Sequence, residues 1–217
     1  MEAPSDNSIK TPSTGSSDLI GEGVIIDIGT GDGRFVYQSA RRNPNKFYIG
    51  IDPNTRPLEK ISEKIHRKPA KGGAPNVLFI QSAVEDLPEE LNGVANEVHV
   101  HFPWGSLLRA VAAGDVEVMR NLRRVCAEGA LLEVVIGIDP VRDKSELERL
   151  GIKPEFIDDE LVENYRAAGF EIVEQRTLTT SESVDTSWSK RLQRPITYIV
   201  ARAVKTVVGQ DLHDLTG

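Results

Sequence analysis

The sequence predicts an α/β protein with a mostly parallel, seven-stranded sheet that ends in an antiparallel hairpin. Short β-branched runs alternate with stretches of helical polarity, which is typical of βαβ units and therefore of parallel strands. A glycine-rich turn joins the first of these runs directly to a helix. The last two runs are separated by a long insert, and we expect them to pair as the antiparallel hairpin.

The individual elements follow from local composition. The first strand is closed by glycines, and the helix after it, at 34–43, ends before Pro44 because proline cannot continue a helix. We expect a basic amphipathic helix at 56–68, a linker at about 139–154 and a helix at about 158–168. The predicted strands occupy residues 24–28, 47–51, 77–80, 98–102, 131–136, 171–173 and 196–203.

The chain has 217 residues, of which 39% are hydrophobic, and this is enough for one domain with a substantial core. We assign the domain to residues 21–217 and expect residues 1–20, rich in Ser, Thr, Pro, Asp and Asn, to be a poorly ordered leader. No apolar run has membrane-spanning length, and Cys126 is the single cysteine, so an internal disulfide is excluded. We expect a cytoplasmic monomer with no membrane partner.

The net charge of -7 argues against a protein that binds nucleic acid over its whole surface. The charges are unevenly distributed, however. Residues 60–71 contain five Lys or Arg side chains against one acid, and residues 186–210 contain five more against none. From charge alone, two nucleic-acid contacts and two solvated basic faces are equally good interpretations.

The string DIGTGDGR, residues 27–34, places three glycines at alternate positions between the first strand and its helix. Glycine lets the backbone turn tightly and approach a ligand, and the helix N-terminus offers unpaired N–H groups. A nicotinamide dinucleotide site is disfavoured, because its fingerprint needs a third glycine where this chain has Arg34. Asp52 follows the second strand, where a carboxylate can bind both hydroxyls of an adenosine ribose. The alternative is a tight turn without a ligand.

The string HFPWGSLL, residues 101–108, follows the fourth predicted strand and should border the same ligand site. Pro103 fixes the chain there, Gly105 permits close approach, and Trp104 can present a flat face to a nucleobase. Trp188, in the insert between the last two strands, would form the second side of a sandwich around a flipped base. Core packing of Trp104 and a simple loop position for Trp188 are the alternatives.

Five segments together resemble one protein family. They are residues 27–34, 47–53, 68–73, 102–108 and 188–192, which read DIGTGDGR, FYIGIDP, KPAKGG, FPWGSLL and WSKRL. In this order they resemble the 16S rRNA adenine-N1 methyltransferases that confer aminoglycoside resistance, a family of class I, Rossmann-like methyltransferases that depend on S-adenosylmethionine. The resemblance extends over residues 23–203, and FPWGSLL is its most specific part.

The resemblance implies both the ligands and the residues that bind them. The cofactor is S-adenosylmethionine, its product is S-adenosylhomocysteine, and the substrate is the decoding-site adenine of 16S rRNA in the small ribosomal subunit. Trp104 and Trp188 are expected to stack the base, with Pro103 and Ser106 positioning it. Cofactor contacts are expected from Asp27, Gly29, Thr30, Gly31, Asp32, Gly33, Asp52, Pro53, Ala83, Val84, Glu85, Leu87, Trp104 and Ser106. RNA contacts are expected from Lys64, Arg67, Lys68, Lys71, Lys190, Arg191 and Arg194.

No catalytic acid or base is expected. Adenine N1 carries an in-plane lone pair and no proton, so alignment with the methyl group should provide most of the catalysis. His99 and His101 are assigned to a strand face and not to a metal site, because the sequence offers them no supporting cysteine or carboxylate. Two alternative functions stay open: a small-molecule methyltransferase, and a weakly active or inactive paralogue that binds cofactor and RNA.

Overall fold

The computed structural model describes residues 22–153, 157–178 and 196–205, which form one seven-stranded sheet flanked by helices. The predicted leader, residues 1–20, lies outside the described residues. The strands are β1 (Val24–Ile28), β2 (Phe47–Asp52), β3 (Val77–Gln81), β4 (Ala95–His101), β5 (Cys126–Gly137), β6 (Phe170–Leu178) and β7 (Ile196–Ala203). The helices are α1 (Arg34–Arg42), α2 (Glu59–Ile65), α3 (Gly105–Ala113), α4 (Val116–Val125), α5 (Lys144–Leu150) and α6 (Asp159–Ala167).

The sheet has the strand order β3-β2-β1-β4-β5-β7-β6. Strands β1 to β5 run parallel, whereas β7 pairs antiparallel with both β5 and β6. This confirms the predicted mostly parallel sheet with an antiparallel last hairpin. The chain order reverses at β1, whose neighbours are β2 and β4, so the loops after β1 and β4 flank a crevice at the carboxyl edge.

Helices cover both faces of the sheet. All five residues of β1 are buried, as expected for a parallel strand that is covered on two sides. Val36 of α1 shares an apolar cluster with Ile25, while Leu122 of α4 and Tyr165 of α6 belong to the larger cluster. Because side chains alternate along a strand, Asp27 points to the same face as Ile25. None of the helices in the described part of the chain is long and apolar enough to span a membrane.

The predicted linker at 139–154 contains an additional helix, α5. Asp143 precedes this helix, and its carboxylate accepts a hydrogen bond from the Asp139 N–H at 2.9 Å, which closes the turn into the helix. Leu147 and Leu150, three residues apart, are buried and anchor the helix to the core. The prediction of a linker was therefore wrong.

The predicted helix at 56–68 is shorter than expected. It begins with a 3₁₀ turn at Arg56–Leu58 and continues only as the short α2. Lys68 is extended, with φ -58° and ψ 141°, because the ring of Pro69 disfavours helical backbone in the preceding residue. The basic side chains after α2 therefore lie on a loop.

Candidate active site

A cleft of about 300 Å³ opens at the carboxyl edge of the sheet. Its walls come from the ends of β1 and β2 and from the loops after β1 to β4, which is where ligands bind in open α/β sheets. The lining residues are Ile28, Gly29, Ile51, Asp52, Pro53, Ser82, Ala83, Val84, Glu85, Phe102, Pro103, Trp104, Ser106 and Leu107. A mostly apolar lining with two carboxylates suits a flat, partly apolar ligand that carries hydroxyl groups.

The glycine turn after β1 forms one side of the cleft. Gly29, Gly31 and Gly33 have φ values of 74°, 58° and 67°, a left-handed conformation that glycine adopts without steric cost. The N–H groups of Gly29 and Thr30 both donate to the Ile51 carbonyl, at 2.8 and 3.1 Å. The turn therefore holds the backbone against the end of β2, where a ligand can approach it closely.

Asp52 connects the cleft to the glycine turn. Its Oδ2 accepts a hydrogen bond from the Gly31 N–H at 2.9 Å, and its Oδ1 accepts one from the Asn54 N–H at 2.8 Å. Each carboxylate oxygen has two lone pairs, so both oxygens can accept a further hydrogen bond from a ribose hydroxyl. Asp52 thus also fixes the turn, a contact that no sequence pattern predicts.

Asp27 lies two residues before the glycine turn and is 3% exposed. In the sheet it pairs with Gly50 on one side and His99 on the other. Burial raises the pKa of its carboxyl above the usual value, and the nearby charge of His101 opposes this rise most strongly. A cationic group of a ligand would stabilise the ionised carboxylate at this position.

The loop after β4 presents Trp104 to solvent. Phe102 adopts a positive φ of 50°, uncommon for a residue other than glycine, and its N–H donates to the Val135 carbonyl at 2.7 Å. Pro103 is buried, whereas Trp104 is 55% exposed and sits in extended backbone directly before α3. Core packing of Trp104 is therefore excluded. The positive φ of Phe102, directly before this exposed site, is the kind of unusual backbone that clusters at functional sites.

Most of the predicted cofactor residues meet at the cleft. Nine predicted residues line it, namely Gly29, Asp52, Pro53, Ala83, Val84, Glu85, Pro103, Trp104 and Ser106. Asp27, Thr30, Gly31, Asp32 and Gly33 lie in or beside the glycine turn but do not line the wall. The other five lining residues are Ser82, which begins the segment 82–87 that resembles the adenine pocket of the family, and Ile28, Ile51, Phe102 and Leu107, which were not predicted to contact the ligand although each is adjacent to a predicted residue.

Two predicted cofactor residues make other contacts. Leu87 is 3% exposed and belongs to the apolar core, so it does not line the cleft; hydrophobic burial explains its position. Asp32 accepts a hydrogen bond from the Arg34 N–H at 3.2 Å and pairs with the Arg34 side chain at 3.3 Å. In both cases the motif indicated proximity to the cleft but not the direction of the side chain.

The loop at residues 66–73, here called the basic loop, is held against α1 by side chains of that helix. Three hydrogen bonds run from the Tyr37 hydroxyl to the Gly72 carbonyl (2.8 Å) and from the Arg41 guanidinium to the carbonyls of Pro69 (2.9 Å) and Gly73 (3.1 Å). The contacts fix the loop through its backbone. The Lys and Arg side chains of the basic loop are therefore not needed to hold the loop against α1.

Three of the predicted RNA-binding residues, Arg67, Lys68 and Lys71, are exposed on the basic loop. Lys64 differs, because it is half-buried and its Nζ lies 4.3 Å from the centre of the Tyr37 ring. The remaining predicted RNA-binding residues and the second tryptophan lie outside the described residues: Lys190, Arg191, Arg194 and Trp188.

A strand architecture of this kind, with its ligand cleft between the ends of β1 and β4, defines a class I S-adenosylmethionine-dependent methyltransferase. Residues 18–206 match the family model NpmA, described as 16S rRNA (adenine(1408)-N(1))-methyltransferase, and the chain belongs to this family. S-adenosylmethionine is accordingly its cofactor.

Relatives of known structure and sequence agree with this assignment. A 16S rRNA (adenine(1408)-N(1))-methyltransferase from Streptoalloteichus tenebrarius is 39% identical over 175 residues, covering 78% of this chain and 80% of the relative. The crystal structure of the aminoglycoside resistance methyltransferase NpmB1 is 49% identical with a TM-score of 0.76, covering 85% of this chain and 88% of that one. A tryptophan-to-alanine variant of the Catenulisporales acidiphilia enzyme, with cosubstrate SAM, is 34% identical with a TM-score of 0.78, covering 88% and 89%.

Proposed function

We propose that this chain methylates N1 of adenine 1408 in 16S rRNA of the assembled small ribosomal subunit, and that this modification confers aminoglycoside resistance. The observation that carries the proposal is Trp104. A half-exposed indole at the mouth of an S-adenosylmethionine cleft is suited to hold a nucleobase beside the methyl group. A small-molecule substrate would need no large aromatic face turned to solvent.

The residues of the cleft fit the cofactor. Asp52 would hold the ribose with the lone pairs that its two backbone donors leave free. Ala83, Val84 and Glu85, on the turn after β3, would enclose the adenine, and the buried Asp27 would face the methionine ammonium group. When bound, S-adenosylmethionine supplies an electrophilic methyl group.

Base positioning is the main catalytic task left to the chain. Adenine N1 has a free lone pair, so the site needs no group that removes a proton, and the lining residues include no histidine, lysine or cysteine. Trp104 would stack the flipped base, while Pro103 and Ser106 fix the start of α3 next to it. Holding the two reactants in line lowers the barrier by removing their relative motion. The indole face would also favour the positive charge that N1-methyladenine acquires.

The basic loop would contact phosphates of the rRNA. If Arg67 and Lys68 do so, the double variant Arg67→Glu/Lys68→Glu should bind small subunits more weakly. The negative slope of log affinity against log salt should become shallower by about 2, because each phosphate contact contributes about 0.9 to its steepness. S-adenosylmethionine affinity should not change. Subunit binding measured over a range of salt concentrations gives the slope.

A matched control for this variant is Arg202→Glu/Lys205→Glu. Arg202 lies near the C-terminal end of β7 and Lys205 follows that end, whereas the insert precedes the N-terminal end of the strand. Both of these residues are exposed, and the control changes the net charge by the same amount. An equal loss of slope in both variants would contradict a specific role for the basic loop in subunit binding.

The contacts that hold the basic loop should matter as well. Tyr37→Phe removes the hydroxyl that donates to Gly72 but keeps the ring under Lys64. Loss of about 1 kcal/mol of hydrogen bonding should loosen the loop and weaken subunit binding about fivefold, without changing cofactor affinity. Tyr48→Phe is the control, because the Tyr48 hydroxyl accepts a hydrogen bond from Asn43, away from the loop. Equal effects of the two variants would contradict a role for this contact.

The proposed substrate is tested by incubating the purified chain with labelled S-adenosylmethionine and either intact small subunits or free 16S rRNA. We expect label in the rRNA of intact subunits and much less in free rRNA, because phosphate contacts spread over a folded surface require the assembled particle. Label in neither would exclude the rRNA methyltransferase function for this chain.

A further inference from the structure

Two histidines and a glutamate meet on the α1 face of the sheet, outside the cleft. His99 and His101 lie two residues apart on β4, so their side chains point to the same face. Glu133 of β5 is the register partner of His99 and joins them on that face. No sequence pattern predicts this third residue, because the fold determines which strand lies beside β4 and in which register the two strands pair.

The three side chains turn one ligand atom each toward a common point. His99 Nδ1 lies 3.4 Å from His101 Nε2 and 3.1 Å from Glu133 Oε1, and His101 Nε2 lies 2.8 Å from the same oxygen. Ligands on a tetrahedral zinc ion, with bonds of about 2.0–2.1 Å, are about 3.3 Å apart. Two of the three distances already match this value, and the third needs to widen by about half an ångström.

Neighbouring residues orient two of these groups, His99 and Glu133, as outer partners of metal ligands do. His99 Nε2 lies 3.4 Å from Glu97 Oε2, so the ring nitrogen opposite the common point faces a carboxylate. The Tyr198 hydroxyl donates to Glu133 Oε2 at 2.9 Å, which leaves Oε1 directed at the two rings. The side chain of Glu133 is 28% exposed, so an ion can reach the cluster from solvent.

We propose that His99, His101 and Glu133 form a binding site for a divalent transition-metal ion, with Zn²⁺ as the best match to two imidazoles and one carboxylate. The ion would join β4 to β5 just before the Trp104 loop and leave one coordination position for water. None of the three ligands lines the methyl-transfer cleft, although His99 is the register partner of Asp27, and the proposal does not rest on the proposed function.

Calorimetric titration of the metal-depleted chain with Zn²⁺ tests the site. We expect one ion per chain, and a rise in the midpoint temperature of unfolding with Zn²⁺ concentration. His99→Ala and Glu133→Gln should abolish binding, and Glu97→Gln should weaken it about tenfold or more through loss of the outer partner. His66→Ala is the matched control, since His66 is an exposed histidine outside the cluster, and it should bind as the unaltered chain does.

X-ray absorption of the zinc-loaded, unaltered chain provides a test that does not depend on variants folding. Backscattering from two imidazole rings at about 2.0–2.1 Å is the expected result. Absence of Zn²⁺ binding by the unaltered chain, a spectrum without imidazole ligands, or full binding by His99→Ala/His101→Ala would overturn the proposal. Loss of binding in His66→Ala would overturn it too, because the ion would then lie elsewhere.

Discussion

Replacing Trp104 with alanine should lower the methylation rate about 100-fold, because the base would no longer be held in line with the methyl group. Subunit affinity should fall much less, since phosphate contacts distributed over the surface supply most of it. Trp104→Phe should recover part of the rate, because a smaller ring still stacks on the base. Single-turnover methylation and subunit binding, measured on the same preparations, separate the two effects.

The second tryptophan provides a sharper test of the same idea. If Trp104 and Trp188 enclose one adenine, each indole matters fully only when the other is in place, so the loss in the double alanine variant should be smaller than the product of the single losses. Losses that simply multiply would mean that the two residues act independently. An unchanged rate in Trp188→Ala would remove the sandwich and leave Trp104 as a single stacking face.

The Asp52→Ala variant should raise the dissociation constant for S-adenosylmethionine about 10- to 100-fold, the loss expected for hydrogen bonds to a charged group. Two effects contribute, since the carboxylate would bind the ribose and also accepts the Gly31 N–H that fixes the glycine turn. Asp52→Asn keeps one acceptor oxygen, so its dissociation constant for S-adenosylmethionine should lie between those of the unaltered chain and Asp52→Ala. Calorimetry with S-adenosylmethionine and with S-adenosylhomocysteine measures the change.

Asp86→Ala is a suitable control for Asp52→Ala. Asp86 is exposed and belongs to the turn after β3, but it is not among the residues that line the cleft. Its removal makes the same chemical change near the adenine side of the site and should leave cofactor affinity unaltered. Unchanged affinity in Asp52→Ala itself would place the ribose elsewhere.

The sequence predicted those parts of the fold that depend on local patterns. Each strand of the sheet overlaps one of the predicted strand segments, and the alternation of these segments with helices predicted the parallel pairing. The glycine string and the FPWGSLL string both occur at strand ends, so their convergence at one edge of the sheet followed from topology. This is why most of the cleft could be predicted.

Other features depend on particular side-chain contacts that composition and periodicity do not show. Helix α5 was missed because its start is fixed by the contact between Asp139 and Asp143, in a segment with weak helical periodicity. The Tyr37 and Arg41 contacts to the basic loop span about 30 residues or more and leave no local pattern. Glu133 joins the histidines only through the register of β4 and β5. Individual side-chain contacts or strand register, not composition, determine all three.

The central claim is tested most directly by the identity of the methylated nucleoside. Small subunits treated with the chain and S-adenosylmethionine should yield 1-methyladenosine at position 1408 of 16S rRNA, detected by nuclease digestion and mass spectrometry. Methylation of another nucleotide, or of the exocyclic N6 of the same adenine, would contradict the account, because the base should be held with its N1 lone pair, and not its amino group, in line with the methyl group.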